Sequence, residues 1–116
     1  MENKILALAS FLELTHIETK EIENVDYDTN TFKFNEKEYL VLTDDEANDL
    51  WDEYLDNYLE DCIYPDLPEK LKHYFDSDMW KRDAKMDGRG HSLSGYDGEE
   101  HSVTISNEEF FIYRTN

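Results

Sequence analysis

The feature that most constrains this chain is a long acidic stretch that contains no basic residue. Between Glu38 and Glu69 there is no lysine or arginine, while ten carboxylates occur. These are Asp44, Asp45, Glu46, Asp49, Asp52, Glu53, Asp56, Glu60, Asp61 and Asp66. Thr43 followed by Glu46 is a capping box, and acidic residues in the first turn suit the helix dipole. The stretch therefore predicts a helix over residues 44–62.

The apolar residues of this helix recur at helical spacing and predict a buried stripe. They are Ala47, Leu50 or Trp51, Tyr54, Leu55, Tyr58, Leu59 and Cys62. We expect Trp51, Tyr54 and Tyr58, together with Trp80, to lie in the core. The acidic residues of the same helix are expected to face water.

Several of the carboxylates share one face of the predicted helix. Asp45, Asp49, Asp52, Asp56 and Glu60 follow one another at intervals of four, three, four and four residues. Their axial spacing is about 4.5–6 Å, comparable to the spacing of phosphates along a nucleic-acid strand. Like charges at such intervals destabilise a helix by about 0.2–0.5 kcal/mol a pair. Two interpretations stay open: a merely solvated acidic face, or a surface that imitates DNA. In the second, the partner-binding residues are Asp45, Asp49, Asp52, Glu53, Asp56, Glu60 and Asp61.

Composition limits the classes of partner. The 116 residues suit a single domain, and the formal net charge of −18 repels nucleic acid and anionic membranes. Aromatic residues make up 14% of the chain, which favours a folded core over disorder. The single cysteine, Cys62, fits a reducing compartment, and no apolar run is long enough to span a membrane. We therefore expect no direct nucleic-acid or membrane binding and a soluble, intracellular protein.

The remaining patterns predict an α+β fold. A helix is expected over residues 3–15 and turns over 24–30, followed by a hairpin of strands 31–34 and 37–42. Pro68 suits the start of a short helix, and Asp76 or Ser77 can cap another over residues 79–86. A second hairpin joins strands 102–106 and 110–114 through a turn at Asn107-Glu108. The two hairpins would form a small antiparallel sheet covered by the acidic helix and short helices.

Residues 88–98 hold all four glycines and are expected to form a loop. Gly88-x-Gly90 lacks the third glycine of a dinucleotide loop and is expected to lead to a strand, which argues against phosphate binding. His91, Ser92 and Asp97 could form a triad only by accident of folding. Arg89 and Tyr96 are side chains that a phosphate mimic does not need, so we count both as partner-binding candidates that select the partner.

Metal and cofactor patterns are missing from the sequence. The histidines are widely separated and no Cys-x-x-Cys occurs. Asp26-x-Asp28-x-Asn30 opens like a calcium loop, but Thr31 replaces the required glycine and Lys37 replaces the final glutamate. We therefore expect a structural turn there, and no metal, cofactor or catalytic residue in the chain.

One segment resembles a known family. Leu67-Pro68-Glu69-Lys70-Leu71-Lys72-His73-Tyr74-Phe75-Asp76, followed by Trp80-Lys81-Arg82-Asp83, is similar to the repeated element of ArdA-type antirestriction proteins, which carry a PE…L..YFD…..RD run after an acidic helix. The resemblance covers about residues 44–84 and ends after Asp83. The whole chain also resembles small proteins of phages and mobile elements. This resemblance implies an anti-defence product, acting as an antirestriction or anti-CRISPR protein in the host bacterial cytoplasm.

These observations lead to two functional hypotheses. The first is a non-catalytic acidic inhibitor that mimics DNA and blocks the DNA-binding site of a bacterial defence nuclease, either a CRISPR effector or a restriction complex. The second is an acidic interaction module or regulator that binds a basic host protein outside any DNA groove. Competition with DNA for the partner separates them.

Overall fold

The computed structural model of the chain describes residues 2–26 and 28–116 and has the predicted α+β fold. Its helices are α1 (Glu2–Leu12), α2 (His16–Thr19), α3 (Asp44–Tyr58), α4 (Ser77–Lys85) and α5 (Arg89–Leu93). Its strands are β1 (Glu23–Asp26), β2 (Thr31–Phe34), β3 (Lys37–Thr43), β4 (His101–Ile105) and β5 (Glu108–Arg114). Short helical turns cover Leu59–Ile63, Tyr64–Asp66 and Glu69–Tyr74.

The five strands form one antiparallel sheet in the order β1-β2-β3-β5-β4. The predicted hairpins are β2–β3 and β4–β5, and the pairing of β3 with β5 joins them. In the first hairpin Asn35 and Glu36 both have positive φ, as a two-residue type I′ turn requires. In the second, Ser106 and Asn107 have positive φ, so the turn lies one residue earlier than predicted.

Helices cover both faces of the sheet, because the side chains of its central strands alternate between them. Tyr39, Val41 and Ile112 pack towards α1, whereas Leu42 and Tyr113 pack towards α3 and α5. The α1 face also buries Ala7, Leu8, Phe32 and Phe110, and the α3 face also buries Ala47, Leu93 and Phe111. The acidic helix therefore covers one face of the sheet, and α1 covers the other.

Two local predictions differ from the structure. Residues 24–30 were expected to be turns, but β1 occupies Glu23–Asp26 and pairs with β2. Tyr27, within that predicted turn, lies outside the described residues. Residues 88–98 were expected to be a loop leading to a strand, but Gly88 leads into helix α5. This five-residue helix is positioned by burial of Leu93 against the α3 face of the sheet, a tertiary contact that local sequence does not show.

The chain keeps a helical path beyond the end of α3 at Tyr58. After Tyr58 the chain continues through a π-turn, in which the Tyr64 N–H bonds to the Leu59 carbonyl, and a short 3₁₀ turn that contains Pro65. Pro65 lacks an N–H and opposes a regular α-helix, which explains why the α-helical hydrogen bonding is not kept in these turns. The capping of α4 by Asp76, whose carboxylate accepts from the Met79 N–H at 3.0 Å, follows the prediction.

Residues 59–86, which we call the arm, pack loosely. All of them are described, and Leu59 alone is buried. The molecule measures 60 × 28 × 23 Å, and its radius of gyration of 16.9 Å exceeds the roughly 13 Å of a compact chain of similar length. Within residues 2–26 and 28–116, none of the helices combines the length and apolar character that crossing a membrane requires.

Candidate functional site: the acidic face of helix α3

The predicted capping box fixes the start of α3. The Thr43 hydroxyl accepts from the Glu46 N–H at 3.3 Å, and the Thr43 N–H donates to Glu46 Oε1 at 2.9 Å. Glu46 also binds the ammonium of Lys4, from α1, at 2.8 Å. Burial alone would raise the pKa of Glu46, but the bonds from Lys4 and Thr43 outweigh it and hold the pKa below its ordinary value. Glu46 therefore stays charged, and its carboxylate stabilises the fold through its bonds to Thr43 and Lys4.

Helix α4 neutralises part of the predicted acidic stripe. Lys85 lies 2.6 Å from Asp52, and Lys81 lies 2.8 Å from Asp56. The Lys81 bond to Asp56 raises the pKa of the lysine despite some burial. These lysines come from more than twenty positions downstream, so the absence of basic residues in the local sequence does not mean an absence of partners. Asp52 and Asp56 hold α4 in place as well as facing solvent.

A smaller group of carboxylates stays free along the same helix. Asp45, Asp49 and Glu53 are exposed, at i, i+4 and i+8, and form no ion pair with any residue that the structure describes. We call these three the free acidic row. Glu60 and Asp61 are also exposed, but they lie in the π-turn, where the regular four-residue spacing from Asp56 is not kept.

Arg89 occupies a different setting from the one expected. Its side chain is only 11% exposed, and its guanidinium donates to Glu100, Asp44 and Asn48 at 2.7–3.0 Å. It also lies 4.5 Å from the centre of the Phe111 ring. Burial would lower its pKa, but the bonds to Glu100 and Asp44 raise it above the ordinary value. Arg89 therefore ties α5 to the start of α3, instead of reaching outward from a loop.

Tyr96 keeps an exposed side chain, as a contact residue requires. The guanidinium of Arg114 lies 3.5 Å from the centre of its ring. The Tyr96 N–H also bonds to the Arg114 carbonyl, so the ring is presented from a fixed backbone. The two candidates from residues 88–98 thus differ: Tyr96 is accessible to a partner, and Arg89 is mostly enclosed.

The hydroxyls and carboxylates near α5 serve the fold. Ser92 accepts from the Trp51 indole N–H at 3.2 Å, and the Ser94 hydroxyl contacts Asp97 and the Arg114 carbonyl. The hydrogen bond from Ser94 lowers the pKa of Asp97, and the hydrogen bond from the Glu99 N–H lowers it further. These contacts make no nucleophile–base chain through His91.

Asp97, Glu99 and His101 come together although their sequence spacing carries no established metal motif. Their nearest donor atoms lie within 4.8 Å of one another. The His101 ring also packs against Phe11 in a tilted arrangement, with ring centres 4.7 Å apart. Asp97 and Glu99 flank Gly98, whose φ is positive, in the turn before β4, and His101 begins that strand, so the cluster depends on the turn geometry. As it stands, the cluster pairs a histidine with two acidic residues at 3.7–4.0 Å.

Two of the aromatic residues expected in the core are instead exposed. Tyr54 and Tyr58 are 43% and 42% exposed, and Tyr58 stacks on Trp80 with ring centres 5.7 Å apart. Together they line a groove of about 250 Å³ between α3, α4 and α5. The core prediction is wrong for these tyrosines because α4 packs loosely on α3 and leaves the groove open.

A second concavity lies on the other side of α3. A cleft of about 520 Å³ separates this helix from β3 and from the turn between β1 and β2. Asp49 and Glu53 of the free acidic row line it. The cleft could not be predicted from the sequence, because its size depends on the distance between α3 and the sheet.

Comparison of this chain with models of protein families, with curated proteins and with solved structures found no match.

Proposed function

We propose that this chain is a non-catalytic inhibitor that mimics DNA and occupies the DNA-binding site of a bacterial defence nuclease, as an anti-CRISPR or antirestriction protein acting in the host cytoplasm. The observation that carries the proposal is the free acidic row. Asp45, Asp49 and Glu53 follow one another at an axial rise of about 6 Å along one capped helix, and none of them forms an ion pair within the described residues. A protein that binds DNA neutralises the phosphates with lysines and arginines, and a row of carboxylates can take the place of those phosphates.

The cost of this arrangement supports a role in binding. Like charges one turn apart destabilise a helix by about 0.2–0.5 kcal/mol a pair. The same chain pairs its other α3 carboxylates, Asp44, Glu46, Asp52 and Asp56, with cations from distant segments. Leaving one row unpaired while its neighbours are paired is the pattern expected of a surface that a cationic partner completes.

A second candidate, an acidic interaction module that binds a basic host protein outside any DNA groove, is favoured by the groove at Tyr54, Tyr58 and Trp80. Exposed aromatic side chains are typical of protein interfaces, and DNA mimicry has no use for them. The two candidates differ in one measurable respect. A DNA mimic competes with DNA for its target, and a module bound elsewhere does not.

The test is charge reversal of the free acidic row. The variant Asp45→Lys, Asp49→Lys, Glu53→Lys is compared with Glu13→Lys, Glu21→Lys, Glu23→Lys, which has the same net charge and changes exposed residues elsewhere. DNA binding by a panel of CRISPR effectors and restriction nucleases is measured with each protein added. We expect the row variant to lose at least about 100-fold in inhibition and the control variant less than about fivefold.

Circular dichroism first establishes that both variants are folded. Asp52 and Asp56 are left unchanged because reversing them would repel Lys85 and Lys81 and detach α4. Full inhibition by the folded row variant contradicts the proposal. Binding of a nuclease that excess DNA fails to displace supports the second candidate instead.

A further inference from the structure

The cleft between α3 and the sheet has two chemically different parts. Its floor is formed by Leu40 and Leu42 of β3 and by Leu50 of α3. Its rim carries four carboxylates: Asp28, Glu46, Asp49 and Glu53. An apolar floor under an anionic rim suits a side chain with an apolar stem and a cationic head, and this combination belongs to lysine and arginine.

The chain itself shows which ligand chemistry this wall accepts. Lys4 extends from α1 to one end of the cleft wall, and its ammonium lies 2.8 Å from both Asn30 Oδ1 and Glu46 Oε1. The Lys4 side chain is only 12% exposed, so a cation is held here largely away from water. Asn30 and Glu46 are themselves lining residues of the cleft.

The rest of the rim has no such cation. Within residues 2–26 and 28–116, no ion pair involves Asp28, Asp49 or Glu53. These three carboxylates line the same cleft as Glu46 and the three leucines. Charge complementarity therefore calls for a second long basic side chain, supplied from outside.

We propose that this cleft receives one lysine or arginine side chain of the partner protein, with its stem on the three leucines and its head between Asp49 and Glu53. The inference rests on the proposed function in requiring a basic partner, and it goes further by giving the acidic row a socket of defined shape. A flat row of charges recognises positive charge alone. A socket also recognises the length of the stem that carries it.

The probes are short peptides of equal charge that differ only in their basic residue, measured against the full chain by nuclear magnetic resonance titration at pH 6. One series carries lysine, one arginine, and one 2,4-diaminobutyric acid, whose stem is two methylenes shorter than that of lysine. We expect the long-stem peptides to bind about tenfold more tightly, because each buried methylene adds to affinity. Equal affinity of the short-stem peptide overturns the proposal.

Paired variants locate the binding. Asp49→Asn with Glu53→Gln removes two of the three unpaired rim carboxylates, and Asp83→Asn with Glu21→Gln removes the same charge at exposed positions away from the cleft. The rim variant should lose at least about tenfold in affinity for the lysine peptide, and the matched variant less than about threefold. Equal losses overturn the socket. Preference for the arginine or the lysine series identifies the head group that it fits better.

The socket and DNA mimicry are tested by independent measurements. The peptide titration involves no nuclease, and the nuclease assay involves no peptide. Stem-independent binding combined with inhibition that depends on the row rejects the socket alone. Stem-dependent binding without any competition against DNA supports the socket and rejects DNA mimicry.

Discussion

A single guanidinium, that of Arg89, joins three segments that are distant in sequence. It contacts Asp44 at the start of α3, Glu100 before β4 and the Phe111 ring on β5. Glu100 in turn accepts a hydrogen bond from the buried Tyr113 hydroxyl. Burial raises the pKa of Tyr113, and the nearby Glu100 carboxylate raises it further. The cluster therefore consists of a neutral tyrosine, a carboxylate and an enclosed cation, and the carboxylate accepts hydrogen bonds from both of the others.

Replacing Arg89 by alanine should destabilise the protein by about 1–3 kcal/mol, because the packing of its enclosed side chain and its hydrogen bonds to charged groups are lost. Arg82→Ala is the matched control: Arg82 is exposed and makes no ion pair in the described chain, so its loss should cost less than about 0.5 kcal/mol. Arg89→Lys keeps the charge without the planar fork and should recover only part of the loss. Urea unfolding measures all three. An Arg89→Ala cost as small as that of the control would mean that the cluster contributes nothing to folding.

At the scale of elements, helix α4 is attached mainly by side chains. Lys81 and Lys85 pair with α3, Lys85 lies 5.2 Å from the centre of the Trp51 ring, and Trp80 stacks on Tyr58. None of the α4 residues is buried. Exposed ion pairs contribute only about 0–1 kcal/mol each. We infer that α4 can separate from α3 while the sheet stays folded.

The variant Lys81→Ala with Lys85→Ala should therefore lower hydrogen-exchange protection in α4 by about tenfold and leave β3 and β5 unchanged. Lys20→Ala with Lys37→Ala removes the same charge at exposed, unpaired positions and should leave α4 protection as it was. A simultaneous loss of protection in α4 and the sheet would show instead that the two unfold together.

Among the individual elements, the sequence predicts those features that depend on neighbouring residues. The capping box at Thr43, the hairpin turn at Asn35-Glu36 and the cap at Asp76 depend on neighbouring residues, and all three are found. Strand β1 and helix α5 were missed because each is held by contacts with distant residues: β1 by pairing with β2, α5 by the burial of Leu93. The candidate site follows the same rule. Its carboxylates were predicted, whereas the lysines that neutralise Asp52 and Asp56, and the cleft beside Asp49, depend on tertiary structure.

Over the whole molecule, negative charge far exceeds what internal pairing can offset. The chain has 29 acidic and 11 basic residues, and six ion pairs with lysine or arginine occur in the part that the structure describes. An elongated shape of 60 × 28 × 23 Å keeps like charges further apart than a sphere would. Repulsion between the remaining carboxylates still opposes the folded state.

Stability should consequently rise with salt. The Debye length falls from about 30 Å at 0.01 M to about 8 Å at 0.15 M, which screens repulsion between separated carboxylates more than attraction within close pairs. We expect the melting temperature to rise by roughly 3–6 °C over this range of potassium chloride. The variant Asp45→Asn, Asp49→Asn, Glu53→Gln should melt higher than the parent at low salt and gain less from added salt, because its row no longer repels itself. A parent melting temperature that stays flat or falls would mean that the six ion pairs, rather than the unpaired carboxylates, dominate the electrostatic energy of this fold.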